Sequence, residues 1–109
     1  MAVLTEITNN IEISKEVNII GTNAFFGQKS MTQIIIPKGV TSIEGGAFSE
    51  CSKLERVEIP NTVTDIANTA FSAESFNLSE IIIHNKENSI AGAPWGAAKG
   101  MKVVQWVGK

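Results

Sequence analysis

Cys51 and His84 are the one thiol and the one imidazole in a chain of 109 residues, and side by side they could supply a nucleophile and its base. Glu55, Glu58 and Glu80 suggest a second chemistry, that of a carboxyl pair in which one group protonates a glycosidic oxygen while the other attacks or activates water. Both depend on placement. A thiol needs its base within hydrogen-bond reach, and a catalytic acid needs a desolvated carboxyl whose pKa is raised. Whether these side chains meet is decided by the elements that carry them.

Those elements follow a repeat. Phe25, Phe48 and Phe71, each preceded by alanine, stand 23 residues apart, as do Ile20, Ile43 and Ile66, and Val17, Val40 and Val63. The stretch "IIIPKGVTSIEGGAF" thus returns as "VEIPNTVTDIANTAF" one period later. Upstream of each phenylalanine two apolar residues flank one variable position: Ile11 and Ile13, Ile34 and Ile36, Val57 and Ile59. That is the period of a strand with one buried face. One extra residue after Phe71, within "SAESFN", carries the columns onward, with Leu78 under Met31 and Leu54, Ile81 and Ile83 in the strand, and Ile90 in the isoleucine column. Trp95 then takes the phenylalanine slot, and Met101, Val104 and Trp106 extend the columns into a terminal strand.

A unit of this length cannot bury its own apolar side, whereas units stacked in register bury a continuous ladder. The expected fold is therefore mainly β with short helical turns: a solenoid of about four 23-residue coils plus a terminal strand. Pro37 and Pro60 end their strands because proline has no N–H for the ladder. "VTSI" and "VTDI" read as a second run of extended chain, and "GGAFSEC" and "ANTAFS" as helical turns that insert phenylalanine into the core. The whole chain, 1–109, reads as one domain, with a degenerate first coil over 1–30, regular coils over 31–76, and a capping coil and strand over 77–109. Thr8 and Ser14 weaken the first coil, while Pro94, Trp95 and Trp106 suit a cover for the last, an asymmetry expected of a complete small domain.

Set on this repeat, the candidate chemistry recedes. Cys51 follows the turn of the second coil, and His84 occupies the slot of Pro37 and Pro60 two coils away. The three glutamates lie on a solvated strand surface, and a shallow coil is expected to offer no pocket that would desolvate one of them. One histidine and scattered acids show no metal-ligand spacing, and Gly45-Gly46 lacks the fixed glycines and lysine of a phosphate loop. The sequence thus points away from an enzyme, and no cofactor is expected. With 18% charged residues and a net charge of -2 there is no basic footprint for nucleic acid. No stretch reads as membrane-spanning, and Glu6, Glu12 and Glu16 do not suit a secretory signal, so the compartment stays open.

The residues "IIIPKGVTSIEGGAFSECSKLERVEIPNTVTDIANTAF" resemble the BspA-type leucine-rich repeats of bacteria, whose pattern runs strand, Ile-Pro, Val-Thr-x-Ile, Ala-Phe, Cys-Ser, Leu. The terminal "NSIAGAPWGAAKGMKVVQW" resembles the usual finish of such arrays, and the likeness extends from Ile11 to Trp106. The resemblance implies a right-handed solenoid that recognises proteins or surfaces through its strand face, in secreted or surface-attached proteins, with no catalytic residues. It also implies that Cys51 is a buried structural cysteine.

Between the buried columns, alternation leaves an outward row of Glu12, Ile35, Glu58, Ile82 and Gln105, flanked by Asn10, Gln33, Arg56, Glu80 and Val103. The candidate binding face is therefore Gln33, Ile35, Arg56, Glu58, Glu80, Ile82, Val103 and Gln105, a mixture of apolar and charged positions that could contact a partner. The expected function is non-enzymatic recognition or adhesion, with a protein as partner and a glycan as the second ligand class. The alternative is a self-assembling homo-oligomeric subunit, such as a piece of a phage or tail-like particle.

Overall fold

The computed structural model describes residues 10–11, 13–72, 77–87, 89–97 and 99–108. One five-stranded sheet runs in the order β1 (Asn10–Ile11), β3 (Gln33–Ile35), β5 (Arg56–Ile59), β7 (Glu80–Ile83) and β8 (Val104–Trp106). A three-stranded sheet runs β2 (Ile19–Ile20), β4 (Ser42–Ile43), β6 (Asp65–Ile66), and all pairings in both sheets are parallel. From β1 to β7, consecutive strands alternate between the two sheets, so each of the first three coils contributes one rung to each wall.

The register is that of the repeat. Ile34 lies beside Val57, an offset of 23, and Ile20 beside Ile43. Between β5 and β7 the offset becomes 24, Val57 pairing with Ile81, as the extra residue requires, and it returns to 23 where Ile81 meets Val104. Alternation follows: β5 and β7 both run half-buried, buried, half-buried, buried. After β3 and β5, the turns that begin at Pro37 and Pro60 close through Val40 N–H to Pro37 O and Val63 N–H to Pro60 O. Threonine then reinforces the stacking, Thr41 and Thr64 each donating backbone N–H and hydroxyl to the carbonyl one coil earlier.

The third side of each coil differs from the expected helical turn. Over 45–50 the chain forms a series of tight turns, and alternate amides leave the coil. Asn23, Phe25 and Gly27 donate to Gly45, Ala47 and Ser49 of the next coil, and Gly46 and Phe48 donate to Thr69 and Ala70. An α-helix would spend those amides within the coil, so small residues and one aromatic here make a third ladder instead. Among the described residues the one assigned helix is the 3-10 segment Gly100–Val103.

Inside, Phe48 stacks on Phe25 at 5.5 Å between centroids and on Phe71 at 5.3 Å, with ring planes within 10° of parallel. Trp95 continues the slot, is fully buried, and meets Trp106 edge-on at 6.0 Å, which places the two indoles at the closing end of the core. Met31, Leu54 and Leu78 are buried as one column, whereas Met101, expected to extend it, is exposed and Val103 is buried in its stead. Gly100, at φ +76, opens the 3-10 segment that sets this change, so β8 begins only at Val104. Phe25, Val17 and Ile13 of the degenerate first coil are only partly buried.

Gly46 is held at φ +68, and a Cβ there would collide with the Asn23 side chain. Gly46→Ala is expected to destabilise the chain by about 1–3 kcal/mol in urea unfolding. Asn23→Gly in the same chain should recover the part due to collision, because position 23 itself has φ +58 and accepts glycine. Additive losses in the double variant would contradict this contact.

Candidate functional site

The outer side of the five-stranded sheet is a built surface. Parallel pairing puts Gln33 beside Arg56, Arg56 beside Glu80, Ile35 beside Glu58, Glu58 beside Ile82, and Ile82 beside Gln105. Arg56 therefore stands between two carboxylates. Its Nη1 donates to Glu58 Oε1 at 3.3 Å and its Nε pairs with Glu80 Oε1 at 3.3 Å. The second Glu58 oxygen, Oε2, accepts from His84 Nε2 at 2.8 Å. Glu80, Arg56, Glu58 and His84 thus form one continuous polar chain across β5 and β7.

These side chains are 28–45% exposed, so the network adds little to stability; Arg56→Ala is expected to cost no more than about 1 kcal/mol. Its effect is positional. Each carboxylate is aimed by a partner, and Arg56 is fixed at the centre of the face. A groove of ≈ 450 Å³ opens beside the network, lined by Ile35, Ile36, Pro37, Lys38, Glu58, Pro60, Asn61 and His84. Ile35 is the most exposed large hydrophobic residue of the chain's described part, at 58%.

Most of the expected face is brought together. Gln33, Ile35, Arg56, Glu58, Glu80, Ile82 and Gln105 all lie at register positions of the one sheet. Val103 does not belong to it: only 2% exposed, it ends the 3-10 segment and points its side chain to the core. Glu12 lies outside the described residues, and the side chain of Asn10 is likewise not described. A groove does lie against Glu58, but the carboxylate there stays partly exposed. That carboxylate nonetheless has both oxygens engaged, by Arg56 and His84.

Cys51 and His84 have separate surroundings. The thiol is buried and contacts Phe25 O at 3.2 Å, while His84 is exposed beside Glu58. The His84–Glu58 contact was readable in principle. His84 has the parity of Ile82, and Ile82 is the register partner of Glu58, so the two are diagonal neighbours on one face. Among the described residues no group of three His, Cys, Asp or Glu side chains could hold a metal ion, and no helix is long and apolar enough to cross a membrane.

Comparison with known proteins gives the same architecture. The crystal structure of a leucine rich cell surface protein from Faecalibacterium prausnitzii A2-165 is 35% identical and superposes with a TM-score of 0.67 over 72% of this chain. The matched region is 20% of that protein's chain, so the present sequence corresponds to about a fifth of its length. No curated protein matches. The family model described as BspA type leucine rich repeat region (6 copies) matches residues 4–94, most of the sequence. With the 23-residue columns, the parallel rungs and this match in hand, the chain belongs to the BspA-type leucine-rich repeat family.

Proposed function

We propose that the chain is a non-enzymatic recognition module that binds a protein partner through the outer side of its five-stranded sheet, in the setting of a bacterial cell surface. The observation that carries this reading is the fixed array Glu80, Arg56, Glu58, His84 beside exposed Ile35. An aimed arginine next to an apolar anchor, presented on rigid backbone, has the composition of an interface centre. The similar Faecalibacterium prausnitzii structure is that of a leucine rich cell surface protein, which supports the setting.

A photoreactive side chain placed at position 35 tests the reading against one at Thr64, an exposed position on the other wall. With a fractionated extract of source cells and their surroundings, a discrete cross-linked protein is expected from position 35 and not from 64. The purified partner should bind Arg56→Glu at least about tenfold more weakly than the parent, while thermal unfolding of the variant changes little. Cross-linking from 64 alone, or unchanged affinity of Arg56→Glu, would move the site elsewhere.

Self-assembly is the second reading, favoured by β8, which among the described residues lies at the end of its sheet with one strand neighbour. An edge of this kind can pair with another chain. It requires a defined oligomer of the purified protein.

A further inference from the structure

The groove beside the network carries more chemistry than the face as a whole. Its floor is apolar: Ile36 and Pro60 are buried, Pro37 is half-buried and Ile35 is largely open. At ≈ 450 Å³ it has room for a few side chains of an extended segment and none for a folded domain. Two full charges line it, Glu58 and Lys38. Glu58 is already matched, its oxygens held by Arg56 and His84. Lys38 makes no ion pair among the described residues. Arg56 is shared with Glu80, so the network beside the groove holds one guanidinium against two carboxylates, but Glu80 does not line the groove, and Lys38 is the lining charge left without a partner among the described residues. Asn61, exposed on the rim, adds an amide able to donate to and accept from a peptide backbone.

We infer that the groove takes an extended peptide segment of the partner in which an apolar residue is followed by an acidic one. The apolar side chain sits on Ile35, Pro37 and Pro60, and the carboxylate pairs with the Lys38 ammonium. This inference rests on the strand-face reading and names the chemistry of its ligand. Burial of the apolar side chain supplies most of the attraction, and Lys38 supplies the selection between acidic and basic sequences.

Isotope-labelled chain titrated with acetyl-Leu-Asp-amide, acetyl-Leu-Lys-amide and acetyl-Gly-Asp-amide, followed by amide chemical shifts, provides the test. Saturable shifts at Ile35, Lys38 and Asn61 are expected with Leu-Asp at roughly millimolar affinity. Binding should weaken about fivefold with Leu-Lys, because a pairing charge becomes a repelling one. Gly-Asp, which has no apolar anchor, should not saturate. In the Lys38→Glu variant, which alters an exposed side chain, the order of Leu-Asp and Leu-Lys should invert. No saturable shift at these amides, equal responses to the two leucine peptides, or an unchanged order in Lys38→Glu would overturn the inference. If cross-linking from position 35 persists in any of those cases, the ligand chemistry fails alone; if that cross-linking is also absent, the strand-face reading fails with it.

Discussion

Phe48→Ala is expected to remove about 3–5 kcal/mol of unfolding free energy, a large part of the roughly 5–15 kcal/mol that a domain of this kind has. The ring is fully buried and stacked on both sides, at 5.5 Å from Phe25 and 5.3 Å from Phe71. Truncation therefore loses transfer energy and two aromatic contacts, and it leaves a cavity that the coils above and below cannot close without giving up their inter-coil hydrogen bonds. Phe25→Ala supplies the comparison. That ring is only partly buried and has one stacked neighbour, so its loss should be less than half as large. Urea midpoints at constant m-value measure both. Equal effects would show that the phenylalanine column does not carry the core.

The second large effect tests the alternation of the strands. Val57→Asp places a carboxylate at a fully buried position whose register partners are Ile34 and Ile81. No positive or donor side chain flanks it in those rungs, so the expected cost is at least about 4 kcal/mol, enough to leave much of the population unfolded at 25 °C. Ile35→Asp introduces the same group one coil earlier, at an outward position 58% exposed, and should cost about 1 kcal/mol or less. Circular dichroism and urea unfolding of the two variants give the comparison. A larger loss in Ile35→Asp than in Val57→Asp would mean that the register is displaced by one residue, which exchanges the two faces of every strand, and comparable losses would contradict the alternation itself.

The columns that these variants probe were legible in the sequence because stacking forces similar side chains to recur at fixed spacing. Ile34, Val57 and Ile81 align by counting alone, including the one-residue insertion between the last two. The turns over 45–50 were less legible. Small residues with one aromatic suit a helical turn and a ladder of tight turns alike, and the outcome depends on whether amides such as Phe48 N–H find a carbonyl in the next coil. Val103 and Met101 were exchanged for a local reason: the 3-10 segment after Lys99 changes the phase of the chain just before β8, and column counting assumes constant phase. On the surface, alternation placed Arg56, Glu58 and Glu80 together, but not the ion pairs among them. The groove was hidden because Lys38 and Asn61 belong to the loops after the strands, where no period constrains the side chains.

That the outer sheet face stands free for a different partner is tested most directly by light scattering coupled to size-exclusion chromatography over a concentration series. The expected result is a single species of 11.7 kDa at every concentration, unchanged in Ile35→Asp. A stable oligomer that dissociates in Ile35→Asp would show that a second copy of the chain already covers this face, and the recognition reading would give way to self-assembly.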